Sequence, residues 1–131
     1  MSLLGRPVSV RIVVAMAGVM LLSVLLPALS GPRPREVTLV VKGMAFYLEG
    51  DPDTPNPTIE VKAGERVRLV VRNEDRGMTH DFAVPAISAA MNAIEWNESG
   101  DVLLKVPDRR GTYEYVCRPH RLMMRGTILV D

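Results

Sequence analysis

Cysteine, histidine and aromatic residues are scarce in this chain of 131 residues. It contains one cysteine and two histidines, and aromatic side chains make up only 5% of its residues. A single cysteine excludes an intramolecular disulfide and a zinc ribbon, because each of these needs more than one thiol. Cys117 is therefore free, paired with another chain, or a metal ligand.

Net charge is also low. Sixteen Lys and Arg residues are balanced by fifteen Asp and Glu residues, so the formal net charge is +1. Without an overall positive field, the chain is not expected to bind the phosphate backbone of nucleic acid. The length suffices for one ordinary domain and excludes a large multi-domain enzyme.

Residues 1–30 have the pattern of an export signal. Arg6 and Arg11 precede an apolar run over residues 12–29, and small side chains at positions 28 and 30 come just before Gly31. This order is typical of a cleaved signal peptide. An uncleaved membrane anchor is the alternative, because about 18 apolar residues is the lower limit for crossing ~30 Å of hydrocarbon. Either way, the rest of the chain is expected to be exported to the periplasm or another extracytoplasmic compartment.

Residues 31–36 are predicted to form a stiff polar linker before one domain over residues 37–131. Short segments rich in β-branched residues alternate with Gly and Pro turns, which predicts about seven strands at the spacing of a sandwich. The clearest of these segments are 37–41, 46–48, 102–106, 112–117 and 127–130.

Three further segments carry more specific predictions. Residues 58–62 and 66–72 alternate between apolar and polar side chains around a turn, which predicts a hairpin. Residues 81–84 are predicted to form a strand that Pro85 ends. Residues 87–96 are ambiguous, because their Ala and Met content favours a helix while Asn92 and the short length do not.

The candidate chemistry is concentrated between Cys117 and Met124. With His120, these residues offer a thiolate, an imidazole and a thioether on one short segment. Copper(I) prefers thiolate and thioether, copper(II) accepts imidazole, and one Cys with two His and a weak axial Met accommodates both oxidation states. His80 is the only other histidine in the chain. The sequence therefore predicts one copper ion bound by His80, Cys117, His120 and Met124.

Residues 111–120, GTYEYVCRPH, resemble the last strand and ligand loop of the cupredoxins, the small blue copper proteins. Proline before His120 is similar to plastocyanin and amicyanin, whereas the spacing from His120 to Met124 is similar to azurin. This spacing favours Met124 over Met123 as the axial ligand. Upstream, residues 57–65, Asn73 and His80 are similar to the strand pair that delivers the first histidine in that family.

The resemblance covers residues 37–131 and implies an all-β, cupredoxin-like Greek-key β-sandwich of seven or eight strands. It also implies a monomeric one-electron carrier that cycles between Cu(I) and Cu(II), exchanges electrons with a redox partner protein and is not an enzyme. A copper carrier or buffer that delivers the metal to another protein is the alternative. Catalysis by the thiolate is disfavoured, because Cys117 and His120 are too close in sequence for the arrangement of thiol hydrolases.

Two residues next to the candidate ligands are expected to change the properties of the metal centre. Asp81 follows the first histidine where the family usually has Asn, and its charge is expected to favour copper(II). Pro119 lacks an N–H, so one hydrogen bond that could reach the Cys117 sulfur is absent. Asn73, Asp81 and Pro119 are thus expected to influence the site without binding the metal.

Arg118 and Arg121 flank His120 and are candidates for partner docking. If they point outward around the imidazole edge, they favour a partner with an acidic or anionic surface. The alternative is that they form an ordinary solvated rim.

Overall fold

The computed structural model describes residues 31–131, and these fold into nine short strands. A four-stranded sheet has the order β2-β1-β4-β7, and a five-stranded sheet has the order β3-β9-β8-β5-β6. The predicted all-β sandwich is confirmed, with nine strands where seven or eight are expected. The strands are β1 (Arg35–Lys42), β2 (Ala45–Leu48), β3 (Ile59–Val61), β4 (Arg66–Asn73), β5 (Ala83–Val84), β6 (Ala89–Ala90), β7 (Ser99–Lys105), β8 (Gly111–Val116) and β9 (Arg125–Val130).

The core forms because alternate residues of each long strand point inward. In β1 and β4, which pair in parallel, every second side chain is buried while its neighbours reach solvent. Both strands contribute valine and leucine to one hydrophobic cluster, and β8 and β9 complete it from the other sheet. The inward side chains of β1 and β4 are Val37, Leu39, Val41, Val67, Leu69 and Val71.

Strand pairing brings two loops to the same end of the five-stranded sheet. Ala83 of β5 pairs with Val116 of β8, and Val116 also pairs with Arg125 of β9. The chain just before β5 and the loop between β8 and β9 therefore lie side by side. These are the segments that carry His80 and Cys117.

The predicted hairpin over residues 58–72 is wrong. β3 pairs with β9, whereas β4 pairs with β1 and β7, so the two segments belong to different sheets. The turn between them, which includes Gly64 at φ +72°, carries the chain from one sheet to the other. Alternation of apolar and polar residues shows which side of a strand faces the core. Strands of both sheets alternate in the same way, so this pattern does not specify which strand is the neighbour.

The ambiguous segment at residues 87–96 is not an α-helix. A short 3-10 helix spans Pro85–Ile87, β6 follows, and Ile94 forms an isolated bridge with His80. These pairings to β5 and to His80 override the helix propensity of Ala and Met. The strand predicted over residues 81–84 is present only as β5.

The signal or anchor predicted over residues 1–30 lies outside the described residues. Among residues 31–131, no helix is long and apolar enough to span a membrane.

Candidate metal centre

Three side chains with metal-binding atoms converge at one end of the sandwich. His80 Nδ1 lies 3.7 Å from Cys117 Sγ, and His120 Nδ1 lies 3.5 Å from the same sulfur. Their candidate ligand atoms all lie within 4.8 Å of one another. His80 precedes Cys117 by 37 residues, so the fold rather than local sequence brings these side chains together.

Backbone pairing fixes the position of His80. Its N–H donates to the carbonyl of Ile94 at 3.1 Å, and the Ile94 N–H donates back to His80 at 2.8 Å. Asn73, which is fully buried, donates from its side-chain amide to the carbonyls of Met78 and Ile94. Asn73 therefore holds together the segment that leads into His80 and the segment that pairs with it.

The loop after β8 brings the remaining candidate ligands close to one another. The Cys117 N–H donates to the carbonyl of Met124 at 2.9 Å, and the His120 carbonyl accepts the N–H of Met124 at 2.9 Å. Pro119 lies within the 3-10 turn Arg118–His120. These bonds close the loop on itself, so Cys117, His120 and Met124 keep fixed relative positions.

Burial separates the two candidate axial methionines. Met124 is fully buried, as is Cys117, whereas Met123 is 61% exposed. Met123 instead uses its carbonyl to accept a hydrogen bond from Asn56. Only a side chain that faces inward can reach a buried sulfur, so the burial favours Met124.

Asp81 ties the two ligand loops together. Its N–H lies 3.5 Å from Cys117 Sγ, where it donates to the sulfur. Its carboxylate accepts the Arg118 N–H at Oδ1 and the Arg118 Nε–H at Oδ2, both at 2.7 Å. The carboxylate thus links the loops as an acceptor, and the guanidinium compensates its negative charge.

The two candidate docking arginines are paired within the chain. Arg118 also donates to the carbonyl of Met91, and Arg121 forms an ion pair with Glu114 at 3.2 Å. Both arginine side chains nevertheless remain more than half exposed, at 55% and 63%. Neither guanidinium points freely into solvent, but both side chains remain exposed, and both residues lie within two positions of His120 in the sequence.

Burial shifts the pKa of two candidate ligands, Cys117 and His80. It raises the pKa of the Cys117 thiol, an effect that the Asp81 N–H partly offsets. Burial also lowers the pKa of His80, and the nearby imidazole of His120 lowers it further. The imidazole of His80 is therefore neutral near neutral pH, with a lone pair available, while the thiol has to lose its proton when it binds a metal.

Asp75 is a residue that the sequence pattern did not single out. Its Oδ2 lies 3.2 Å from His80 Nε2, on the side of the ring opposite the sulfur. In the sequence it is one of several polar residues in the turn at 73–77, and nothing there distinguishes it from Glu74.

The residues present fit copper better than zinc. A thiolate, two imidazoles and a buried thioether are a soft and borderline set that suits both copper oxidation states, whereas thioether is not among the usual zinc ligands. A Cupredoxin-like domain model matches residues 14–130 of the chain. The chain belongs to the cupredoxin-like domain family.

Solved structures share this cupredoxin fold at low sequence identity. Auracyanin B is 22% identical with a TM-score of 0.62, over 78% of this chain and 93% of that one. Auracyanin A, described as a "blue" copper protein from the green thermophilic photosynthetic bacterium Chloroflexus aurantiacus, is 20% identical with a TM-score of 0.57, over 76% of this chain and 100% of that one.

The same fold also occurs within an enzyme. The multicopper oxidase McoA from the hyperthermophile Aquifex aeolicus is 15% identical with a TM-score of 0.58, over 76% of this chain and 27% of that one. No curated protein sequence matches the chain significantly. Within this cupredoxin fold, His80, Cys117, His120 and Met124 make up a set that is typical of a type 1 copper site.

Proposed function

We propose that this cupredoxin is an exported one-electron carrier that binds a single type 1 copper ion through His80, Cys117, His120 and Met124. The convergence of two histidine Nδ1 atoms on one buried cysteine sulfur supports this proposal most directly. When bound, copper supplies a one-electron couple between Cu(I) and Cu(II).

The protein contributes a largely buried set of candidate ligands that hydrogen bonds hold in place. His80, Cys117 and Met124 are buried, and Asn73 and Asp81 tie down the segments that carry them. Ligands that are held in place need little rearrangement when the charge of the centre changes, which favours rapid electron transfer. His120 is the one candidate ligand that is only half-buried, so its ring edge is the natural route for the electron.

Partner docking is proposed at the surface around His120. Leu122 is 91% exposed and Met123 is 61% exposed, and the charged heads of Arg118 and Arg121 lie near them in sequence. We propose that a redox partner contacts the apolar side chains and presents acidic or anionic groups to the arginines.

A copper carrier that hands the metal to another protein is the second candidate. One observation favours it, namely the exposed thioether of Met123 beside the buried Met124. Three buried ligands favour retention of the metal, however, so electron transfer is the primary proposal. A role as a copper enzyme is disfavoured, because Met124 as an axial ligand would fill the coordination position that a small-molecule reactant needs.

The visible spectrum tests the proposal. Copper(II) is added to the purified protein, with Cys117→Ser as the control. We expect an intense thiolate-to-copper absorption in the wild type that the variant lacks, because this transition requires the sulfur ligand. A colourless wild type with an unreacted thiol would contradict the proposal. Metal transfer is tested by incubation of the copper-loaded protein with a Cu(I) chelator, where retention favours electron transfer.

Export is tested separately by fractionation of cells that express the full chain. Recovery from the extracytoplasmic fraction or the membrane, with or without loss of residues 1–30, is expected. Recovery only from the cytoplasm would contradict this part of the proposal.

A further inference from the structure

A carboxylate lies against the side of His80 that faces away from the candidate metal centre. Asp75 Oδ2 is 3.2 Å from His80 Nε2, whereas Nδ1 of the same ring is the atom near the Cys117 sulfur. His80 is fully buried, and the Asp75 side chain is only 14% exposed. His80 Nε2 has no hydrogen bond of good geometry, so the nearby carboxylate acts on the ring mainly through its charge.

Backbone donors hold this carboxylate in place. Its Oδ1 accepts the N–H of Gly43 at 2.6 Å, and its Oδ2 accepts the N–H of Met44 at 3.0 Å. The Asp75 N–H in turn donates to the side chain of Asn73 at 2.9 Å. The carboxylate therefore cannot rotate away from His80 without breaking its bonds to Gly43 and Met44.

The donors belong to the two-residue turn between β1 and β2. Gly43 and Met44 have φ angles of +58° and +60°, which places both in the left-handed region that such hairpin turns require. Met44 is not a glycine, so its conformation is one that side chains disfavour. Asp75 stabilises this turn and contacts His80 with the same carboxylate.

The position of the carboxylate selects one form of the neutral imidazole. A neutral histidine carries a proton on one ring nitrogen and a lone pair on the other. An ionised carboxylate only accepts hydrogen bonds, so it favours the proton on the near nitrogen, Nε2. The lone pair then lies on Nδ1, where a metal ligand needs it. Carboxylates that contact a metal-binding histidine in this way also raise its strength as a donor.

We propose that Asp75 is a positioning residue that keeps His80 in its Nε2–H form and couples the β1–β2 turn to the metal centre. The role in metal binding rests on the proposed function, because it requires His80 to be a ligand. The preference for one tautomer does not, because it concerns the metal-free protein as well.

Nitrogen-15 NMR of the histidine side chains tests the proposal. The chain has two histidines, so a His120→Gln variant assigns the signals of His80. Spectra of the metal-free protein at about pH 8 report the neutral imidazole. We expect wild-type His80 to carry its proton on Nε2. A proton on Nδ1 would overturn the proposal without recourse to any variant at position 75.

Variants then distinguish the effect of the Asp75 carboxylate from the effects of neighbouring residues. Asp75→Asn removes the charge, and one orientation of its amide places a donor against Nε2. We expect a measurable Nδ1–H population and Cu(I) affinity about 10- to 100-fold weaker, by competition with a chromophoric chelator. Glu74→Gln removes a neighbouring charge and is expected to keep the wild-type tautomer. Gly43→Ala strains the turn that holds the carboxylate, so it is expected to have a smaller effect than Asp75→Asn in the same direction.

The outcomes distinguish the alternatives. An Asp75→Asn protein with the wild-type tautomer and affinity would overturn the proposal, as would equal effects of Gly43→Ala or Glu74→Gln. If wild-type protein fails to form the visible copper band while His80 keeps its proton on Nε2, the proposed function fails but the positioning role of Asp75 stands.

Discussion

Arg118 holds the carboxylate of Asp81 with two hydrogen bonds, one from its backbone N–H to Oδ1 and one from its Nε–H to Oδ2, each at 2.7 Å. The Asp81 side chain is nearly buried, whereas 55% of the Arg118 side chain is exposed. A buried carboxylate beside a copper site favours the more positive oxidation state, and a paired guanidinium opposes this effect. The reduction potential therefore depends on the pair rather than on Asp81 alone.

Substitution of either member of this pair is expected to move the potential in opposite directions. Asp81→Asn removes a negative charge and should raise the potential, while Arg118→Gln should lower it, each by about 20–60 mV. The double variant should lie near the wild type. Voltammetry of the copper-loaded proteins measures these reduction potentials. An unchanged potential in Asp81→Asn would show that Asp81 does not influence the reduction potential of the copper site.

Methionine substitutions test the axial ligand. Met124→Leu removes a buried thioether with little change in volume, so the stability loss should stay below about 1.5 kcal/mol. Loss of a ligand to copper(II) should raise the potential by about 60 mV or more. Met123→Leu is the matched control, since Met123 is largely exposed. A larger shift in Met123→Leu than in Met124→Leu would reverse the assignment.

The stability of the metal-free protein should depend on pH through His80. Burial lowers the pKa of His80 in the folded protein below the ordinary value of 6.5, so below that pH the unfolded chain binds more protons than the folded one. The free energy of unfolding should fall as the pH drops from about 7 towards 5, with a limiting slope of about 1.4 kcal/mol per pH unit for one proton.

Urea denaturation of the metal-free protein at several pH values measures this dependence. His80→Gln is the control, because it lacks the titrating group but keeps a polar side chain. The difference in unfolding free energy between wild type and variant should change over this pH range. A constant difference would show that His80 is not protonated on unfolding.

Alanine substitutions at two glycines compare packing against a rigid side chain with packing against a flexible one. A Cβ at Gly126 would lie 2.3 Å from the Tyr115 ring, which is fully buried and donates its hydroxyl to the Pro57 carbonyl. Gly126→Ala should therefore cost about 1–3 kcal/mol of stability. A Cβ at Gly100 would meet mainly the flexible end of Met91, so Gly100→Ala should cost less. Chemical denaturation that finds equal costs would show that Tyr115 moves freely.

Electron exchange with an anionic reagent tests the docking surface. We expect the rate of oxidation by ferricyanide to fall as ionic strength rises, because exposed charges are screened beyond ~8 Å at physiological salt. Arg121→Gln should weaken this dependence, whereas Arg110→Gln, which lies before the opposite end of β8, should affect it less. Identical salt dependence in all three proteins would count against the arginines as a docking feature.

Much of the site was predictable because its chemistry is local in the sequence. Cys117, His120 and Met124 lie on one loop, so residue type and spacing indicated the candidate ligands there, and the resemblance of the His120–Met124 spacing to azurin favoured Met124 over Met123. His80 was identified by elimination, since the chain has only one other histidine. Alternation of apolar residues similarly predicted the strands, because a half-buried strand shows its inner face directly in the sequence.

The tertiary structure alone decided which elements meet. Alternation does not encode a strand's partner, so only the fold placed β3 and β4 in different sheets. Likewise, the contact of Asp75 with His80 and the pairing of Arg118 with Asp81 depend on loops that are distant in the chain. The sequence by itself determined which side chains could bind a metal and which segments could form strands. Residue type decides the first, and the alternation of apolar and polar residues decides the second. The fold decided which charges surround the ligands, because that depends on long-range packing.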